Sequence, residues 1–409
     1  MLPRPSTLPL ALLLTAAACS TPAGGSVIDD SLDGATPAGM CGDGMIDEGE
    51  DCDDENDNPR DECTNECTTP VCGDGVVQGD EDCDDGNDED GDSCTASCTS
   101  GPTAIAAIST GDAHTCAVST GGTVRCWGAP GYGRLGQPGY DENIGDDEPP
   151  SDWDPVEAGP DVIAISAGTQ HTCVLRSSGT ALCWGYNSYG QLGLGHSMNI
   201  GDDEPVLDAG DLPLADLVGI SAGDSHTCAV DGDGAVWCWG SNNAGQLGTG
   251  DTVSVGGSET LDALAPVDLP GAAVEVVTGY EHSCARLEDG KISCWGRGAE
   301  GQLGYGRPDA IGDDESPADA GTVDLGGLAI DIDTRHNHTC AVLDGGTVRC
   351  WGSNGNGQLG YGDTKNVGER KTPAEIGDVM LDATAIAIET GTAFSCASID
   401  DGSVRCWGD

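Results

Sequence analysis

The sequence predicts an all-β repeat protein built of about six copies of one unit, behind a small disulfide-rich N-terminal region. Three observations carry this. From Thr103 onward a cysteine-centred pattern recurs, with first cysteines at 116, 173, 228, 284, 340 and 396. Each copy holds a second cysteine ten residues later, at 126, 183, 238, 294, 350 and 406. Gly-x-Leu-Gly elements such as Gly190-Gln-Leu-Gly193 and Gly245-Gln-Leu-Gly248 then punctuate the copies. A period of about 56 residues, rich in short strands and glycine turns, belongs to repeat architectures such as propellers.

The first element is an export signal. Arg4 is followed by an apolar stretch from Leu8 to Leu14 and by small residues up to Cys19. The stretch is too short to span a bilayer. Small residues before Cys19 resemble the lipobox of bacterial lipoproteins, in which that cysteine is lipidated. The family prefers Leu where this chain has Ala16, and Ala16-Ala17-Ala18 also fits an ordinary secretory cleavage site. Both readings, lipid anchorage at Cys19 (residues 1–19 as signal) and plain secretion, take the mature chain out of the cytosol. Cysteine arithmetic agrees: of 21 cysteines, eight lie at 41–98 and twelve at 116–406, leaving Cys19 alone outside an even set. So many cysteines suit an oxidising compartment.

After a linker at 20–40, Cys41, Cys52, Cys63 and Cys67 are repeated 31 residues later as Cys72, Cys83, Cys94 and Cys98. Units this short and polar need covalent staples to fold, and two disulfides each is the simplest reading, with open connectivity. With Cys-Gly-Asp-Gly openings and central Cys-Asp-Asp, the units at 41–98 resemble the myxococcal cysteine-rich repeat family. That resemblance implies a structural role in exported proteins. The segment holds 22 acidic residues against Arg60, a density that Ca2+ would relieve. The spacing excludes an EF-hand. Asp84, Asp85, Asn87, Asp90 and Asp92 form the candidate calcium cage, and a solvated acidic stalk is the alternative.

The region 103–409 carries the six copies. Ile163-Ala-Ile-Ser-Ala167 alternates apolar and small residues, and Cys173-Val-Leu175 and Ala181-Leu-Cys-Trp184 flank a turn at 176–180, as short strands do. In the first copy Cys116 and Cys126 are equidistant from Gly121, as are Val118 and Val124. A hairpin centred there sets both pairs opposite each other, at a separation that a disulfide spans. Six cross-strand disulfides are expected: Cys116–Cys126, Cys173–Cys183, Cys228–Cys238, Cys284–Cys294, Cys340–Cys350 and Cys396–Cys406. The motifs Gly223-Asp-Ser-His-Thr227 and Trp239-Gly-Ser-Asn-Asn-Ala-Gly-Gln-Leu-Gly248 resemble the regulator of chromosome condensation repeat. That resemblance implies a β-propeller of four-stranded blades. Relatives commonly have seven copies and six are counted here, so the expected blade number is about six, with seven as the alternative.

Net charge is −56, from 71 acidic and 15 basic residues. A nucleic-acid partner is therefore not expected, since such partners require basic stripes. Membrane contact is expected only through an N-terminal lipid. Five histidines (His114, His171, His226, His282, His338) recur at one position, which Phe394 takes in the sixth copy; each is read as a structural hydrogen-bonding group to a turn. The Trp before Gly in every copy is read as blade packing. Acidic loops, Ile144-Gly-Asp-Asp-Glu148, Ile200-Gly-Asp-Asp-Glu204 and Ile311-Gly-Asp-Asp-Glu315, are read as edge-protecting surface, with a site for a cation or basic partner as the alternative. No nucleophile elbow, Walker loop or HExxH motif occurs, so no catalytic residue is assigned and the chain is expected not to be an enzyme. The expected function is protein or polysaccharide recognition at the cell surface. What the resemblance further implies is inhibition of an extracellular enzyme as the alternative, and guanine-nucleotide exchange as a reading that export disfavours.

Overall fold

A computed structural model describes residues 52–53, 71–73 and 104–409. Cys52 and Cys72 are each disulfide-bonded. The expectations placed on Cys19, Cys41, Cys63, Cys67, Cys83, Cys94 and Cys98, and on Asp84, Asp85, Asn87, Asp90 and Asp92, lie outside the described residues.

Residues 104–409 form six antiparallel sheets of three strands in chain order. The first holds β1 (Ile105–Thr110), β2 (His114–Ser119) and β3 (Val124–Gly128); the second β4 (Val162–Ala167), β5 (His171–Arg176) and β6 (Ala181–Gly185). The third holds β7 (Leu217–Ala222), β8 (His226–Asp231) and β9 (Val236–Gly240); the fourth β10 (Ala273–Thr278), β11 (His282–Leu287) and β12 (Ile292–Gly296). The fifth holds β13 (Ala329–Arg335), β14 (His338–Leu343) and β15 (Val348–Gly352); the sixth β16 (Ala385–Thr390), β17 (Phe394–Ile399) and β18 (Val404–Gly408). The first strand of each sheet contacts the first strand of the next, from β1 through β4, β7, β10 and β13 to β16. These strands line a common axis in succession, and each sheet is a blade.

The expected cysteine register is met. Cys116 pairs with Cys126 and Val118 with Val124, and all six expected disulfides within blades form at Cα separations of 4.0–4.1 Å. The four-stranded expectation is corrected: blades carry three strands, and the outermost position is reduced to isolated contacts. Gly185 bridges Ile200, and the Leu212 amide donates to the Ala181 carbonyl at 2.8 Å. Between such contacts the chain leaves the sheet through segments such as Pro149-Pro150 and Pro155. Proline has no N–H for a ladder, so a continuous fourth strand does not form.

Between blades the core is apolar. Trp184, Trp239, Trp295 and Trp351 are fully buried, with Leu192, Leu247, Leu303 and Leu359 of the Gly-x-Leu-Gly elements beside them in the two core clusters. At roughly 25 cal/mol per Å2, each such Trp contributes several kcal/mol of burial.

Candidate functional site: the turn face of the blades

The Gly-x-x-His turn between the first and second strands sets the geometry of one face. A Cβ on Gly223 would lie 2.7 Å from the Gly279 carbonyl oxygen and 2.8 Å from the His226 ring. Adjacent turns approach backbone to backbone, joined by hydrogen bonds such as Asp224 N–H to Gly279 O at 3.2 Å and Thr169 N–H to Gly223 O at 3.1 Å. Only a residue without Cβ fits there.

Just behind the turns, the five histidines repeat one network. The His Nε2 of each blade lies 2.9–3.0 Å from the Thr or Ser hydroxyl of the next, from His114 with Thr172 to His338 with Ser395. Those hydroxyls donate to backbone carbonyls of the Gly-x-Leu-Gly elements (Arg134, Gln191, Gln246, Gln302, Gln358) at 2.8–3.2 Å. The same carbonyls accept Trp Nε1–H at 2.8–3.0 Å. With the hydroxyl proton so used, the imidazole is assigned as the Nε2–H tautomer donating to the hydroxyl oxygen. Burial then holds His171, His226 and His282 near pKa 3. The structural reading of the histidines stands, but the partner is the neighbouring blade's hydroxyl rather than a turn. The motif tryptophans of the second to sixth blades are packing groups with a bonded indole N–H. In the sixth blade, which has Phe394 at this position, no such bond runs to the first blade among the described residues.

The residue after the turn glycine in each copy lines a common cavity of about 240 Å3. These residues are Asp112, Thr169, Asp224, Tyr280, His336 and Thr392, one from each blade. The scaffold positions around them scarcely vary, whereas these six offer carboxylate, hydroxyl, phenol and imidazole. The fifth copy also breaks the glycine rule. Arg335 stands where the others have Gly, β13 is one residue longer, and His336 adopts φ 51°. Arg335 donates across the axis from the fifth blade to the Ala167 carbonyl of the second at 2.9 Å. Burial lowers its pKa against the opposing pull of Asp333, Asp112 and Asp224. The Tyr280 and His336 rings lie 5.2 Å apart. Asp224, followed by burial, raises the Tyr280 phenol's pKa.

Carboxylates on the inner strands have structural work. Ser109 and Ser166 each accept an amide N–H from the next blade at 2.9 Å. Asp333 does the same for Thr390 at 2.6 Å and also accepts the Thr390 hydroxyl at 2.7 Å. Glu389 follows in the sixth blade, its carboxyl pushed up to about 7 by burial and then by Asp333, Asp331 and Glu275.

The acidic loops lie at this same end of the blades and serve as joints. Gly139 N–H donates to Asp202 O at 2.7 Å, and Gly250 N–H to Gly312 O at 3.1 Å, so the loop of one blade locks onto the preceding blade. Their carboxylates remain available: the oxygens of Asp146, Asp147 and Glu148, of Asp202, Asp203 and Glu204, and of Asp313, Asp314 and Glu315 lie within 4.8 Å inside each triad. These are the described residues that could hold a divalent cation. Glu148 also accepts Trp153 Nε1–H at 2.9 Å, and its carboxyl is held down at about 2 by hydrogen bonds from Asp147, Gly145 and Trp153. Glu204 is pushed up to about 7 by burial and by Asp203 and Asp202.

Arg335 and the six cavity residues were not singled out from sequence. The signal was present, because Arg335-His-Asn-His338 is the one copy whose motif lacks the opening glycine.

Six similar blades around an axis, coupled by identical bonds and differing in the residue at the mouth, define a repeat β-propeller with a display face. A family model described as "RCC1-like domain" matches residues 72–377, and the chain belongs to that family. It is 29% identical over 317 residues to the ultraviolet-B receptor UVR8 of Arabidopsis thaliana, covering 76% of this chain and 66% of the receptor. It is 30% identical over 310 residues to human E3 ubiquitin-protein ligase HERC2, covering 73% of this chain but 6% of the ligase. The chain thus spans less than two thirds of either relative. Among solved structures, yeast RCC1 (Prp20) bound to Kap60 superposes with TM-score 0.58 at 19% identity, covering 74% of this chain and 70% of that one. Human WBSCR16 superposes with TM-score 0.55 at 20% identity, covering 69% of each chain.

Proposed function

We propose that this is an exported, non-catalytic binding protein whose propeller presents the turn face to a protein partner at the cell surface, with Cys19 as the lipid anchor. The observation that carries the reading is the contrast at the mouth. Gly, His and Cys hold one geometry in copy after copy, while Asp112, Thr169, Asp224, Tyr280, His336 and Thr392 differ. A scaffold that is held constant while one ring of positions varies suits recognition. Two structural neighbours are themselves protein binders: yeast RCC1 is bound to Kap60, and Prp20p of Saccharomyces cerevisiae binds Gsp1p and histones. Six cross-strand disulfides, five of them buried, support an oxidising compartment.

The test is affinity capture from cell-envelope and culture-medium extracts with the oxidised mature chain, in Ca2+ and in chelator. The comparison is the Asp224→Asn/Tyr280→Ala variant. One protein enriched by the parent and lost with the variant, at equal melting temperature, is the expected result. Capture of polysaccharide alone, or equal capture by both forms, overturns the proposal. Loss of the partner in chelator would add a calcium requirement.

A further inference from the structure

The end of the blades opposite the turns carries a feature that the turn face does not explain. In every blade the register between the first and second strands slips once, leaving the second residue of the first strand unpaired. A bulge of this kind redirects the side chain it expels. The expelled residues of five successive blades are Ile163, Val218, Val274, Ile330 and Ile386, and they are 43–58% exposed. Their neighbours on the same strands are buried: Val162, Leu217, Ala273, Ala329 and Ala385 are each 3% exposed or less. Because the first strands line one axis in succession, these β-branched side chains form a collar at its second opening, open at the first blade, where Ala106 takes the position. Five exposed aliphatics at one repeat position are not scattered surface residues, and such patches mark interaction sites.

The surroundings of the collar are acidic. The hairpin turn between second and third strands packs against the start of the first strand of its own blade, as in Asp344 N–H to Leu328 O at 2.8 Å, and against that of the next blade, as in Ala329 N–H to Gly290 O at 2.7 Å. In the third to sixth blades these turns carry Asp233, Glu288, Asp289, Asp344, Asp400 and Asp401. Lys291 is their one cation, and Asp289 pairs with it at 2.6 Å. The turns of the first two blades, 120–123 and 177–180, bear no charge of their own, but the exposed Asp161 and Asp216 lie against them, as in Ser177 N–H to Asp161 O at 3.0 Å, and Arg176 just before the second turn is paired with Asp211. The rim is thus acidic, most densely in the turns of the third to sixth blades.

We infer that the collar is a second docking surface, and that its occupant is a basic amphipathic segment of a partner protein: aliphatic side chains on the collar, Lys or Arg against the rim turns of the third to sixth blades. Apolar contact supplies affinity and the rim supplies orientation and on-rate.

The test uses the full oxidised chain at physiological salt and a fluorescent twelve-residue peptide of three Leu-Lys-Lys-Leu units. Its controls replace every Leu by Ser or every Lys by Glu. Saturable binding is expected for the parent peptide, with a loss of at least tenfold in both controls. The Val274→Ser/Ile330→Ser variant should lose at least tenfold with unchanged melting temperature, since both side chains are already exposed. Asp289→Asn/Asp344→Asn should weaken binding and flatten its salt dependence. Tyr280→Ala on the opposite face should bind as the parent does, which separates this surface from the one proposed above. Equal binding of the Ser control, or of the Val274→Ser/Ile330→Ser variant, overturns the inference, because charge attraction alone would then account for the signal. So does self-association of the parent that Ile330→Ser abolishes, because a second copy would then be the occupant.

Discussion

At the scale of single residues, titration is the most direct consequence of the histidine network. The ring carries its proton on Nε2, and the buried Nδ1 atoms have no partner. A second proton would place an uncompensated charge between blades. His171, His226 and His282 therefore stay neutral down to about pH 3, and His338 to about 4, when folded, against 6.5 when unfolded. The folded pKa is depressed, so the unfolded chain binds more protons between those limits. Stability is full above about 6.5 and falls as pH drops toward 3, by up to about 1.4 kcal/mol per pH unit for each histidine. Denaturant titrations from pH 7 to 4 should show this slope, and His226→Phe should remove one proton's share of it. Glu389 acts in the opposite sense. Its folded pKa is raised to about 7, so its contribution is present below the unfolded value of 4.5 and is lost as pH rises through 7. Glu389→Gln should be the more stable form at pH 8 by chemical denaturation and indistinguishable at pH 4.

At the scale of the element, the disulfide hairpin is the unit. Each closes a short loop and contributes roughly 2–3 kcal/mol by the chain-entropy account. Cys173→Ala/Cys183→Ala should cost about that much in urea, with the same fold by circular dichroism. The hairpin was fully legible, because equal spacing about Gly121 fixes the register of Cys116 with Cys126 and Val118 with Val124 without any long-range information. The fourth strand was misread for a related reason. The family pattern promises it, but the prolines at 149, 150 and 155 remove ladder donors, and only the isolated Gly128–Ile144 and Val124–Val156 bridges remain in the first blade. The partner of each histidine could not be read, since it lies about 56 residues away in another blade. The acidic loops were read as exposed edge. Their role as joints depends on Gly139 meeting Asp202, a pairing that no local pattern announces. The mouth was missed because variation at one position looks like noise until the turns are seen to converge.

At the scale of the whole molecule, the blades are coupled in sequence and the axis is braced by Arg335. Its guanidinium joins the fifth blade to the second at Ala167, bypassing the two blades between. Hydrogen bonds from a charged group contribute about 1.5–3 kcal/mol. Arg335→Gly, which restores the motif of the other copies, should lower stability by about that much. It should also raise hydrogen exchange in β4 and β13 more than in β8. Unchanged exchange at Ala167 and its neighbours would show that the brace carries no strain. The ends of the series behave differently. Ile108 is 61% exposed whereas its counterparts Ile165, Ile332 and Ile388 are 9% or less, and Phe394 is 44% exposed. Fraying should therefore begin at the first and sixth blades, and β1 and β18 should exchange before β8 and β11.

The bonds between blades repeat one pattern: the imidazole donates to the following blade's hydroxyl, and the following blade's indole N–H donates back to a carbonyl of the preceding blade. The five joints from the first blade to the sixth therefore share one socket and one plug. Whole copies are interchangeable parts in this sense. Moving the fourth copy, with Tyr280, into the place of the third would leave each joint with its complement while rearranging the chemistry at the mouth. Specificity in such a protein can be rewritten by shuffling segments of DNA, with no single residue of the frame having to change first.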